Sequence, residues 1–241
     1  MAQIGSWITI PHPSIIEIMC QQKFDWLCID LEHSPVSRLD LQIATTIIQG
    51  YQKKAFARVK ENSHSSIKFA LDAGIDGIII PMVNSATEAR NAVKNCLYPP
   101  HGIRGAGLSR AQKFGPGFQE HYQKNISELI VIVQVEHINA VKEIDDILKI
   151  DKISGVFIGP YDLSGSMNCP GDFLNQKLQE AIERVAKATL NSNKILGIHV
   201  IQPKAEEILN YFKLGYNFIA FSLDSYFLQR KLSDELDLLF K

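Results

Sequence analysis

The stretch Ala73-Gly-Ile-Asp-Gly-Ile-Ile-Ile-Pro81 carries the pattern from which the fold is read. A helical run ends on a glycine. An apolar residue and a short polar residue follow, and then a continuous apolar run. Related junctions recur at Gln22-Lys-Phe-Asp-Trp-Leu-Cys-Ile-Asp30, Asp151-Lys-Ile-Ser-Gly-Val-Phe-Ile-Gly159 and Leu214-Gly-Tyr-Asn-Phe-Ile-Ala-Phe-Ser222. Gly74 and Gly215 sit where a helix turns left-handed at its end, a conformation cheap for glycine.

Working outward, eight short apolar runs stand out: Ile4–Ile10, Trp26–Glu32, Ala55–Val59, Gly77–Val83, Leu129–Glu136, Gly155–Pro160, Ile195–Ile201 and Phe218–Leu223. Most are continuous rather than alternating, which suits strands of a parallel sheet buried on both faces. Helical patterns lie between them, at Ser14–Gln21, Leu39–Ile48, Ser66–Ala73, Ala86–Asn95, Ala140–Leu148, Leu174–Leu190, Lys204–Lys213 and Phe227–Phe240. Eight such βα units predict a closed (β/α)8 TIM barrel, one domain spanning residues 1–241. No GxGxxG follows a strand, so an open dinucleotide-binding sheet is the weaker alternative. About 45 residues separate strands four and five, and they include Tyr98-Pro-Pro-His-Gly-Ile-Arg-Gly-Ala-Gly107 and Phe114-Gly-Pro-Gly117. This long loop belongs to the C-terminal face of the barrel, where active sites are built.

Composition narrows the function classes. The 241 residues carry 25 Lys+Arg and 26 Asp+Glu, a formal net charge of −1, with 46% hydrophobic residues. That balance gives no electrostatic reason to expect nucleic acid or an anionic membrane as partner. The apolar content excludes a disordered chain. Cys20, Cys28, Cys96 and Cys169 form no CxxC pair and read as reduced thiols. The first residues, Met1 to Trp7, show no secretory pattern, and no apolar run reaches about 18 residues. A cytoplasmic enzyme without a membrane partner is the expectation.

Alternate strand residues face the barrel interior, and the last ones face its mouth. In strand five Ile130, Ile132, Gln134 and Glu136 share a parity, which puts Gln134 and Glu136 inside. Asp162 falls just past strand six. Two carboxylates on adjacent strand ends suit a hard divalent cation such as Mg²⁺ or Mn²⁺. The alternative is a loop-capping Asp and a buried Glu paired with Arg. His33 follows strand two, where a histidine can move protons near neutral pH or simply satisfy the loop backbone. Asp30 and Glu32 share a parity and could orient it. Arg58 points into the mouth, either for an anion or for an internal ion pair with Glu136 or Glu32. Lys60, the Schiff-base alternative, follows the strand into a polar stretch and reads as solvated. His199 and Ser222 read as internal hydrogen-bonding groups.

These residues are familiar as a set. Phe24-Asp-Trp-Leu-Cys-Ile-Asp-Leu-Glu-His33, Ala57-Arg-Val59, Leu71-Asp-Ala-Gly74, Ile80-Pro-Met-Val83, the Tyr98–Gly107 stretch, Val133-Gln-Val-Glu136 and Ile158-Gly-Pro-Tyr-Asp-Leu-Ser164 occur in that order. Together they resemble the class II pyruvate aldolases of the HpcH/HpaI aldolase/citrate lyase family, typified by 4-hydroxy-2-oxoheptanedioate aldolase. The resemblance implies a barrel of the phosphoenolpyruvate/pyruvate-binding type, assembled as trimers or hexamers with exchanged C-terminal helices. It implies a divalent cation (Mg²⁺, Mn²⁺ or Co²⁺) on Glu136 and Asp162, and Arg58 beside the keto oxygen of pyruvate. It implies His33 as the proton-transfer residue with Asp72 as charge partner, Gln134 near the metal, and the backbone at Pro160, Tyr161 and Asp162 receiving the pyruvate carboxylate. The activity implied is reversible cleavage of a 4-hydroxy-2-oxo acid to pyruvate and an aldehyde. A malyl- or citramalyl-thioester lyase, or a non-catalytic keto-acid-binding barrel, are the alternatives. The chain departs from relatives at Lys60, at Asn62-Ser-His64 and at Tyr161, which is expected to narrow the aldehyde side.

Overall fold

The computed structural model describes residues 2–240; Met1 and Lys241, the ends of the expected 1–241 domain, lie outside that range. Eight parallel strands close a barrel in sequence order: β1 (Gln3–Ile8), β2 (Trp26–Asp30), β3 (Lys54–Arg58), β4 (Gly77–Ile80), β5 (Ile130–Val135), β6 (Gly155–Ile158), β7 (Ile195–Val200) and β8 (Phe218–Leu223). The seam is made by β1 pairing with β8. Around it run α1 (Pro13–Cys20), α2 (Arg38–Gly50), α3 (His64–Asp72), α4 (Ala86–Cys96), α5 (Phe118–Ser127), α6 (Ile138–Lys142), α7 (Ile144–Leu148), α8 (Pro160–Ser166), α9 (Gln176–Asn191), α10 (Ala205–Lys213) and α11 (Asp224–Leu239). The expected (β/α)8 barrel is therefore the observed fold.

Strand parity sorts the core into two layers. Val131, Val133 and Val135 join the layer between sheet and helices. Trp7, Trp26, Phe56, Ile132, Phe157 and Phe218 fill the barrel interior. There Trp26 and Phe218 stack with centroids 4.0 Å apart, and Phe56 leans on both. Aromatic rings of this size close the interior with few side chains. The residues at the strand ends above them are the polar ones.

Serines prepare the loops at the mouth. Ser37, Ser63 and Ser85 cap α2, α3 and α4 by accepting the backbone N–H of Asp40, Ser66 and Glu88. Each such cap contributes about 1 kcal/mol. Gly74 and Gly215 take φ of +80° and +91°, the left-handed termini expected from the sequence. The barrel seam is tied by Asp224, whose buried carboxylate accepts from the backbone of Thr9 and Ile10 and from the Thr9 hydroxyl.

Two elements differ from expectation. The helix read as Ala140–Leu148 is two short helices meeting at Glu143, whose carboxylate turns away to accept the N–H of Ala86 at 2.8 Å. The long stretch between β4 and β5 does not lie at the C-terminal face as expected: after α4 it packs beside the end of α3, where Arg104 pairs with Asp72 and Arg110 donates to the Ala73 carbonyl, because α4 has carried the chain back to the opposite end of the barrel, and it ends in α5 directly after Gly117. Asp162 falls just past β6, as expected, in the first turn of α8, where Pro160 occupies an initial helical position.

Trp26→Ala removes the centre of the interior stack and leaves a cavity. The expected cost is about 3–5 kcal/mol of stability. Urea unfolding followed by circular dichroism measures it, and an unchanged midpoint would contradict this account of the core.

Candidate active site

The mouth of the barrel is organised by a salt bridge between neighbouring strands. The register of β2 against β3 places Asp30 opposite Arg58. The two side chains meet in a fork: Arg58 Nε donates to Asp30 Oδ1 at 2.9 Å, and Nη2 donates to Oδ2 at 2.8 Å. Such bidentate pairing fixes the guanidinium plane. Arg58 also lies over the Trp7 ring, 4.6 Å from its centroid. Burial pushes the Asp30 carboxyl up, but the hydrogen bonds and charge of Arg58 outweigh it and hold the group below the ordinary carboxylate range. Asp30 also accepts the backbone N–H of Glu32 at 3.1 Å and of His33 at 3.4 Å. The pair is thus charged, and it anchors the loop that carries His33. The sequence-based alternative for Arg58, a pair with Glu136 or Glu32, is corrected in part. Its principal partner is Asp30, and Glu32 Oε2 approaches Nε at 3.3 Å without hydrogen-bond geometry.

Across the mouth stands an acidic group of different character. Glu136 follows β5 and is buried. Its Oε1 accepts from Gln134 Nε2 at 2.9 Å, and its Oε2 accepts from the backbone N–H of Met82 at 3.1 Å. Met82 adopts φ of +51°, a left-handed backbone that costs a non-glycine residue energy. Gly159 closes the other side, where a Cβ would stand 2.7 Å from Glu136. A side chain at Gly159 would displace the carboxylate. Burial pushes the Glu136 carboxyl up to about 7; the Met82 N–H opposes that rise, and the charges of Glu32 and Asp162 add to it. Glu32 is also raised to about 7, first by burial and then by Asp30 and Asp162, with Arg58 opposing. Ionisation of Glu136 and of Glu32 is therefore disfavoured at this mouth, by burial first and by neighbouring carboxylates second.

The expected site residues are brought together unevenly. Arg58, Gln134, Glu136, Pro160, Tyr161 and Asp162 line one cavity of about 1010 Å³, with Trp7 and His199. His33 sits on the loop after β2 with its side chain 67% exposed, and its Nε2 is 3.7 Å from Glu32 Oε2. Asp72 does not join it. It lies at the end of α3, at the opposite end of the barrel from the strand-end loops, and pairs with the buried Arg104 at 3.0 Å. Within one chain the acidic neighbour of His33 is Glu32, and the expected Asp72 partnership is corrected. Lys60 is exposed and outside the cavity lining. His199 meets the Ser222 carbonyl at 3.2 Å, as expected of an internal group, and burial pushes it down to about 4.

The donor set fits a hard divalent cation. Glu136 and Asp162 are oxygen donors on the same cavity, and the charge of Asp162 adds to the rise of the Glu136 carboxyl. The carbonyl oxygen of Gln134 and Oε2 of Glu32 are buried without hydrogen-bond partners. Buried orphan acceptors are costly, and a cation relieves that cost. Among the described residues no group of three or more His, Cys, Asp or Glu side chains is placed to hold a metal ion, so the fit rests on the two carboxylates Glu136 and Asp162. An ion held by two carboxylates keeps open positions for a ligand, the arrangement typical of Mg²⁺.

Comparison with known proteins agrees with this geometry. The HpcH/HpaI aldolase/citrate lyase family matches residues 3–229. The chain is 37% identical to a 2-keto-3-deoxy-L-rhamnonate aldolase of Klebsiella pneumoniae, over 92% of this chain and 83% of that one. It is 35% identical to a 4-hydroxy-2-oxo-heptane-1,7-dioate aldolase of Escherichia coli, over 95% and 87%. A crystal structure of an HpcH/HpaI aldolase/citrate lyase family protein from Burkholderia cenocepacia superimposes with a TM-score of 0.92 at 29% identity, covering 100% of this chain and 95% of that one. The chain belongs to the HpcH/HpaI aldolase/citrate lyase family.

The acidic group makes a direct prediction. Mn²⁺ titrated into the protein and followed by its paramagnetic resonance should bind. Glu136→Gln and Asp162→Asn should each weaken that binding at least tenfold while the circular dichroism spectrum is kept. Unchanged affinity in both variants would remove the cation site.

Proposed function

We propose that the chain is a class II pyruvate aldolase, which reversibly cleaves a 4-hydroxy-2-oxo acid to pyruvate and an aldehyde. One observation carries the proposal: a guanidinium fixed by Asp30 and a buried acidic group, Glu136 with Asp162, line the same cavity. The first suits a keto oxygen on which negative charge develops. The second suits the cation that the family's chemistry calls for.

The geometry supports the following roles. Arg58 spends Nε and Nη2 on Asp30. Nη1 makes no hydrogen bond among the described residues and is the donor left for the keto oxygen. A donor already oriented before the reaction stabilises the enolate without reorganisation, and removal of one such donor typically costs 10²–10³ in rate. Gln134 orients Glu136 by its amide N–H. The backbone N–H groups of Tyr161 and Asp162, at the start of α8, are suited to the pyruvate carboxylate, while Pro160 has no N–H to give. His33 is not among the residues lining the cavity; exposed beside Glu32 on the loop that Asp30 anchors, it is the proton-transfer group at C3 or at the C4 hydroxyl that the family resemblance implies. A divalent cation (Mg²⁺, Mn²⁺ or Co²⁺) bound by Glu136 and Asp162 would supply Lewis-acid polarisation of the keto group. Lys60 stands outside the cavity, so no imine is part of the proposal.

Assembly as a trimer or hexamer with exchanged C-terminal helices is part of the same proposal. Leu228, Leu232, Leu236, Leu239 and Phe240 of the C-terminal segment are exposed on the single chain, from 48% to 85%. Apolar residues in this number seek cover. No helix among the described residues is long and apolar enough to cross a membrane. A cytoplasmic location fits the proposal.

The protein incubated with 4-hydroxy-2-oxo acids should release pyruvate, detected by product mass. Excess EDTA should abolish the release, and Arg58→Ala should lower kcat/KM by about 10²-fold or more. Full activity in EDTA, or borohydride trapping on Lys60, would overturn the proposal. Sedimentation should show a trimer or hexamer; a clean monomer would remove the exchanged helix.

A further inference from the structure

The cavity is larger than the proposed chemistry needs. Its volume of about 1010 Å³ is at the upper end for sites that hold drug-sized ligands, roughly 300–1,000 Å³. A three-carbon keto acid and a two- or three-carbon aldehyde fill only its inner end. The rest runs from the mouth into a cleft between α9 and α10.

Two stripes of α9 line that outer limb, a polar one of Gln179, Glu183, Lys187 and Asn191 and an apolar one beside it. At the junction Tyr161 meets Phe173 edge to face, with centroids 4.7 Å apart. Along α9, Ile182, Ala186 and Leu190 recur every fourth residue and so form one stripe. Tyr211 and Leu214 face them from α10 and the residue that ends it. Leu190 lies over Gly215, where a Cβ would come within 3.0 Å of it, so the cleft has a packed floor.

Charge selects against an acidic occupant. Among the described residues lining the cavity, Arg58 and Lys187 are the two cations, and His199 is held neutral by burial. Arg58 is engaged by Asp30. Glu136, Asp162, Glu183 and Glu207 line the same cavity. A second carboxylate on the substrate would have Lys187 alone, beside Glu183.

We infer that the aldehyde partner is uncharged and carries an extended apolar tail, which passes the Tyr161–Phe173 pair and lies along Ile182, Ala186 and Leu190 in the α9–α10 cleft. This rests on the aldolase proposal above and names its substrate class. The occupant is the substrate rather than a neighbouring chain because the cleft is continuous with the reacting end. Each methylene buried there should improve kcat/KM by up to about fourfold, from roughly 0.8 kcal/mol per CH₂.

The test is aldol addition of pyruvate to a panel of aldehydes with the purified protein and Mn²⁺, read by product mass and initial rate. The panel is propanal, hexanal, octanal, glycolaldehyde and succinic semialdehyde. The expected result is kcat/KM for hexanal at least tenfold above propanal and above succinic semialdehyde. Ala186→Trp, which obstructs the cleft, should lower the hexanal-to-propanal ratio at least fivefold. A flat or falling series from propanal to octanal, or a preference for succinic semialdehyde or glycolaldehyde, overturns the inference and leaves the aldolase proposal standing. Turnover of no aldehyde overturns both. The chain-length series uses the unaltered protein, so the inference is tested even if Ala186→Trp does not fold.

Discussion

The mouth of this barrel depends on the bidentate salt bridge between Arg58 and Asp30. A guanidinium at the end of a barrel strand is costly to bury unless an anion meets it. Here the anion is supplied by the neighbouring strand at the matching register position, so the pair forms wherever the barrel closes. The fork geometry and the Trp7 ring beneath it fix the plane of Arg58. The same carboxylate accepts the amides of Glu32 and His33. Removing Asp30 would therefore free the arginine and loosen the His33 loop together.

The opposite wall obeys a different constraint. Glu136 is buried, and Asp162 and Glu32 bear on it. Hydrogen bonds from Gln134 and Met82 satisfy part of its capacity but do not offset burial and the charges of its neighbours. The strained Met82 backbone and the absence of a side chain at Gly159 hold it in place at some cost in stability. Costs of this kind gather where function requires them. A fixed cation-donor on one side and a compressed acidic set on the other give the cavity a polarity along which an enolate can be stabilised.

Much of this was legible in the residues, for physical reasons. A strand has a period of two, so the alternation Ile130, Ile132, Gln134, Glu136 identified the inward face, and the interior core confirms it for Ile132. The glycine-terminated junctions marked the βα units, and Gly74 and Gly215 have the expected backbone. What escaped depends on distance in space. Asp30 as the partner of Arg58 follows from the register between two strands, which no single segment contains. Met82 acts through its backbone N–H, to which its side chain gives no clue. Asp72 carried the right type of charge, but α3 returns it to the far end of the barrel, where Arg104 takes it. The α9–α10 cleft arises from the spacing of two helices and left no mark in either sequence pattern.

The central claim is that this mouth stabilises a pyruvate enolate. Exchange of the pyruvate methyl protons with solvent deuterium, followed by NMR with no aldehyde present, tests it most directly. The account expects exchange that requires added Mn²⁺ or Mg²⁺ and falls at least tenfold in Asp30→Asn, in which Arg58 keeps its charge but loses its ionic anchor. Exchange that proceeds equally in EDTA, or at an unchanged rate in Asp30→Asn, would contradict it.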